Sequence, residues 1–117
     1  MTKLFLKDGA IVAGNVYMTF IFDALQTAFN EALIPQVVIT SGNDSTHGTG
    51  SYHGKNRAID ARSTMVANKA AMVQRLKELL PPYFDVVFEP TLYKDGKRIR
   101  TEHFHIEADE TKEKALT

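Results

Sequence analysis

Apolar residues return every three or four positions between residues 15 and 33, at Met18, Ile21, Phe22, Leu25, Ala28, Phe29, Ala32 and Leu33. That period winds one apolar stripe onto a helix and predicts an amphipathic helix over this stretch. The aromatics Tyr17, Phe20, Phe22 and Phe29 fall at helical spacing and are expected in the core. Pro35 ends the helix, and the β-branched run 37–40 predicts a short strand. Residues 41–54 then hold four glycines among Ser, Thr, Asn and Asp, which is loop chemistry. A second short strand is expected over 57–62. Ser63 is placed to cap a second helix over 64–80, with Met65, Val66, Met72, Val73, Leu76, Leu79 and Leu80 on one side. Pro81 and Pro82 end it.

Residues 84–89 (FDVVFE) alternate as a strand, residues 94–97 (KDGK) read as a hairpin turn, and a return strand is expected over about 99–108. The charged tail 109–117 is expected to fray. Together these elements predict an α+β fold, a small antiparallel sheet with two main helices, in a single domain over 1–117. The chain's 117 residues suit one domain of modest core.

Composition narrows the function. Fourteen basic and fourteen acidic side chains cancel, so no nucleic-acid footprint is expected. With no cysteine, thiolate nucleophiles, disulfides and Cys-type zinc knuckles are excluded. No apolar run approaches the roughly 18–20 residues that cross a bilayer, so no membrane insertion is expected. The start, MTKLFLKDGA, lacks the apolar core of a secretory signal, and a monomer reaching its target from the cytoplasm by another route is expected.

The four histidines form two tight clusters, His47/His53 and His103/His105. Alternation in HFHIE puts His103 and His105 on one face and Phe104 and Ile106 on the other. In FDVVFE it separates Phe84, Val86 and Phe88 from Asp85, Val87 and Glu89. With the apolar faces turned to the core, two imidazoles and a carboxylate share the opposite side of neighbouring strands. Asp60, mid-strand beside Ala58 and Ile59, would be costly to bury without a partner, and a cation would remove that cost. His53 lies on the loop leading in. Two neutral imidazoles and a carboxylate bind zinc and leave a fourth position for water, the catalytic arrangement. Arg57, if near that ion, would suit a substrate carboxylate. The plainer readings are that His47 is a solvated loop residue, His103 an ordinary strand residue, and the basic hairpin 94–100 a solvated tip.

The pattern Ser51-x-His53, then Ala58 and Asp60, then His103-x-His105 resembles the D-Ala-D-Ala metallopeptidases and L-Ala-D-Glu endopeptidases of peptidoglycan metabolism, whose zinc fold also occurs in the signalling domain of Hedgehog. The run 39–50 resembles the strand and loop that lead into the motif in small phage-encoded members, and the likeness covers about 36–108. It implies one Zn2+ held by His53, Asp60 and His105. It also implies Ser51 and Arg57 at the substrate, and His103 at the substrate or the developing oxyanion. A carboxylate must move the proton of the attacking water: Glu89 matches the Hedgehog-like position and Glu102 the Glu-x-x-His spacing, with Glu89 preferred. The implied activity is a zinc peptidase cleaving peptidoglycan stem peptides, either D-Ala carboxypeptidase or L-Ala-D-Glu endopeptidase. The setting it implies is phage lysis or a virion-borne wall hydrolase. The alternative is a non-catalytic, zinc-stabilised binding module of the same fold. One departure is Asn56, where the family has glycine three residues after the metal histidine; asparagine tolerates left-handed backbone better than other side chains.

Overall fold

Asn15 opens the first helix by accepting a hydrogen bond from the Met18 backbone N–H, and its side-chain amide reaches across to the Asn56 carbonyl at 2.9 Å. The computed structural model describes residues 1–43, 52 and 55–117. In chain order the elements are β1 (Lys3–Leu6), α1 (Val16–Glu31), β2 (Gln36–Ser41), β3 (Ala58–Arg62), α2 (Lys69–Leu79), β4 (Phe84–Glu89), β5 (Leu92–Lys94), β6 (Lys97–Arg100), β7 (His103–Ala108) and α3 (Glu110–Ala115). Five strands form one sheet in the order β1-β2-β3-β7-β4, and β5 and β6 pair only with each other.

The α+β class is as expected, but the sheet is mixed. β1 runs parallel to β2, while the pairs β2–β3, β3–β7 and β7–β4 are antiparallel. A four-residue strand between charged residues carries almost no period of its own, and only pairing with β2 defines it.

Both long helices pack on one face of the sheet. There Ile21, Leu25 and Phe29 of α1 and Leu76 of α2 meet Val37, Ile39, Ile59, Phe104 and Ile106, all essentially inaccessible to solvent. Of the four α1 aromatics, Phe29 is in this core, Tyr17 and Phe22 are half-buried at its edge, and Phe20 is partly exposed against Phe84. The other face of the sheet carries no long helix among the described residues, and this is where the polar alternation of β3, β4 and β7 points.

Three expectations are corrected. Ser63 does not cap α2: it is fully buried and donates a 2.6 Å hydrogen bond to Glu102, while Asn68 caps the helix by accepting from Ala71 N–H. The intervening residues 64–68 form a turn, so α2 begins five residues later than its apolar period suggests and Met65 is half-exposed. The return strand is broken at Thr101 and Glu102, which separates the β5–β6 ribbon from β7. The tail does not fray. Asp109 caps α3, and Glu113 receives both the Tyr17 hydroxyl at 2.9 Å and the Arg57 guanidinium at 2.8 Å. So short a helix is unstable alone, and these tertiary bonds hold it.

The C-terminus of α1 closes with paired bonds from Leu33 N–H to the Asn30 carbonyl and from Ile34 N–H to the Phe29 carbonyl. This motif demands a left-handed residue, usually glycine, and here Leu33 supplies it at φ 60° with its side chain fully in water. Leu33→Gly is therefore expected to raise stability by about 0.5–1 kcal/mol, since the strain vanishes and no packing is lost. A urea midpoint that falls would contradict this reading.

Candidate metal centre

Strand register builds the centre. β7 lies between β3 and β4, so each of its open-face residues has a neighbour on both sides. His103 is opposite Arg62 and Glu89, His105 is opposite Asp60 and Val87, and Glu107 is opposite Ala58 and Asp85. Buried Phe104, Ile106 and Ala108 alternate with these three and anchor the strand to the core, which fixes the direction of both imidazoles.

The polar contacts are close. His105 Nδ1 is 3.0 Å from Asp60 Oδ1, and its Nε2 is 2.7 Å from Glu107 Oε1. His103 Nδ1 is 2.9 Å from the Thr101 carbonyl, an acceptor, so this nitrogen carries the hydrogen. The remaining His103 Nε2 is aimed between Glu89 Oε1 at 3.3 Å and Asp60 Oδ1 at 3.7 Å. A proton or a metal cation in that gap would bridge the ring nitrogen and both carboxylates. Asp60, Glu89 and His105 each offer a ligand atom, all within 4.8 Å of one another, so this group could hold a metal ion.

Electrostatics agree with the geometry. Burial pulls the His105 imidazolium down, but hydrogen bonds and charge from Asp60 and Glu107 overcome it and push the pKa from 6.5 up to about 9. A ring with a carboxylate at each nitrogen holds its second proton strongly. A metal at Nδ1 would replace one proton, while Nε2–H would stay on Glu107, the carboxylate–histidine arrangement that orients metal ligands. Glu107 was missed in the sequence, although its signal was there: the alternation that pairs His103 with His105 continues to it.

The other site residues separate. Glu89 lies in the group, its second oxygen held at 2.9 Å by Arg100. Glu102, on the turn before β7, is engaged elsewhere, accepting from Ser63 and lying 3.4 Å from Lys69. Arg57 is corrected as a substrate residue. It is on the helix-covered side, buried, with its guanidinium over the Tyr17 ring at 4.2 Å and bonded to Glu113 and the Ala108 carbonyl. One residue of alternation separates it from the face of Asp60. Asn56 adopts φ 58°, the left-handed conformation that a glycine would take there. His47, Ser51 and His53 lie outside the described residues, so His53, expected as the third ligand, is not placed.

A second acidic group, Asp85, Glu107 and Asp109, is already satisfied, since Lys112 binds Asp85, Asp109 caps α3 and Glu107 holds His105. Among the described residues, no helix is long and apolar enough to cross a membrane. No protein-family model matches this sequence, and no curated protein or solved structure matches it.

Proposed function

We propose that the protein is a zinc-dependent peptidase that hydrolyses peptidoglycan stem peptides. The observation that carries this reading is the convergence of Asp60, His105, His103 and Glu89 on one open sheet face, in the chain order of the zinc peptidases the sequence resembles. The donor set suits zinc: an imidazole and a carboxylate side by side, with His53, seven residues before Asp60 in the sequence, as the proposed further ligand. Bound there, the ion would supply Lewis acidity and a water acidified toward neutral pH.

The chain's own residues do the rest. Glu89 accepts the proton of the attacking water and returns it to the leaving amine. Arg100 keeps the Glu89 carboxylate at the edge of the group. His103, fixed by the Thr101 carbonyl through Nδ1–H, presents Nε2 as an acceptor to a substrate N–H. Glu107 keeps the His105 ring in one orientation. Glu102, bonded to Ser63 and Lys69, acts as a positioning residue for the turn into β7.

The test is digestion of purified muropeptides with product masses recorded. Loss of a single D-Ala marks a carboxypeptidase, and cleavage between L-Ala and D-Glu marks an endopeptidase. Glu89→Gln is expected to lower kcat by about 10²- to 10⁴-fold while zinc stays bound. If the wild type cleaves nothing, and Glu89→Gln and Glu102→Gln change only stability, the reading gives way to a metal-stabilised binding module.

A further inference from the structure

β4 and β7 are joined through a two-stranded ribbon, β5–β6, that leaves the sheet where Glu89 and His103 face each other. The ribbon turns at Asp95 and Gly96, both at positive φ (54° and 76°), the tight two-residue turn for which Asp-Gly is suited. Beyond its root it has no partner element among the described residues, and every residue from Leu92 to Ile99 is exposed. Isolated two-stranded ribbons are marginal in water. This one also carries features that weaken it further.

Lys94 and Lys97 are directly opposite each other at the tip, a like-charge pair that costs stability. Tyr93 and Arg98 form the next pair, and Tyr93 and Ile99 are each at least 60% exposed. Arg100 anchors the root to Glu89 and to the Pro90 carbonyl. Lys94, Lys97 and Arg98 have no acidic partner among the described residues. Across the metal group, Arg62 ends the row Arg62–His103–Glu89 and is likewise exposed and unpaired among them. Pairing puts Lys94 and Lys97 on the ribbon face of Leu92 and Arg100, whose guanidinium reaches Glu89, and Arg98 on the reverse with Tyr93. Unpartnered cations, Arg62 and the Lys94/Lys97 pair, therefore flank the Glu89–His103 end of the sheet, on a chain with no net charge.

We infer that this cationic end is the substrate-docking surface: the ribbon's Lys94 and Lys97 and Arg62 grip the carboxylates of stem peptides and lead the scissile bond to Glu89 and His103. The inference rests on the peptidase reading for its occupant. Charge complementarity favours the occupant, because stem peptides carry free carboxylates beside the bonds cleaved. Arg62 takes the place that the sequence assigned to Arg57.

The test is co-sedimentation of the full zinc-loaded chain with purified sacculi stripped of phosphate polymers, on ice, so that retention is read without turnover. Lys94→Gln and Lys97→Gln together should weaken retention about five- to tenfold, as expected for two surface ion pairs, and should flatten its salt dependence, whereas Arg98→Gln should leave retention unchanged. Amidating the sacculi's carboxylates should weaken wild-type retention similarly. Arg62→Gln should raise KM more than it lowers kcat, with zinc content unchanged. Equal retention of the double variant, undiminished retention on amidated sacculi, or binding only to walls that keep their phosphate polymers would each overturn the inference. Retention by a wild type that cleaves no muropeptide would instead count against the peptidase reading alone.

Discussion

Asp60→Ala is expected to abolish stoichiometric zinc binding and all turnover. Removing a partner that merely orients a metal ligand costs about 10- to 100-fold in affinity, so loss of a carboxylate from the ligand group should exceed about 100-fold. The same substitution has a second, independent signature in the metal-free protein. Asp60 is one of two carboxylates that raise His105 from 6.5 to about 9, a rise worth roughly 3 kcal/mol in favour of the folded imidazolium. A raised folded-state pKa stabilises fully below 6.5 and loses that contribution as pH rises through about 9. The metal-free Asp60→Ala protein should therefore be destabilised most near pH 6 and least above pH 9. Zinc titration and urea unfolding at the two pH values check both parts. Unchanged zinc affinity would remove Asp60 from the ligand set, and a stability cost independent of pH would remove its pairing with His105.

Phe104→Ala is expected to destabilise the fold by about 3–5 kcal/mol, a large part of the roughly 5–15 kcal/mol that holds a domain of this kind. Phe104 is completely buried, meeting Phe29 of α1 edge-on at 6.5 Å and Phe88 of β4 at 5.9 Å. It lies between His103 and His105 on the strand, so the cavity would also loosen the strand that aims both rings. Val87→Ala, on the open and half-exposed side of β4, should stay within about 0.5 kcal/mol. Chemical denaturation of the two variants tests the assignment of faces, and comparable losses in both would contradict it.

Those faces were legible in the sequence because side-chain direction in a strand is a local property. Alternation of HFHIEA and FDVVFE requires only that each segment be extended, so the separation of Phe104 and Ile106 from His103 and His105 follows from the residues alone. The same holds for α1, whose apolar stripe and following proline are near neighbours in the chain. The left-handed turn at Asn56 was expected from the family resemblance, and asparagine's tolerance of that conformation lets it form.

What depended on distant partners was not readable. Ser63 has the chemistry of a helix cap, but Glu102, 39 residues away, takes its hydroxyl and the cap falls to Asn68. Arg57 looked like a substrate residue until Tyr17 and Glu113 claimed it on the covered face. The short α3, β1 and the break between β6 and β7 carry too little period to declare themselves. Glu89 and Glu102 were equal in chemistry, and only the β4–β7 register brings Glu89 beside His103. The sequence by itself determined the chemistry available and the side of each strand that bears it. The tertiary structure decided which of those groups meet, because pairing register and hydrogen-bond competition are set between segments that are remote in the chain.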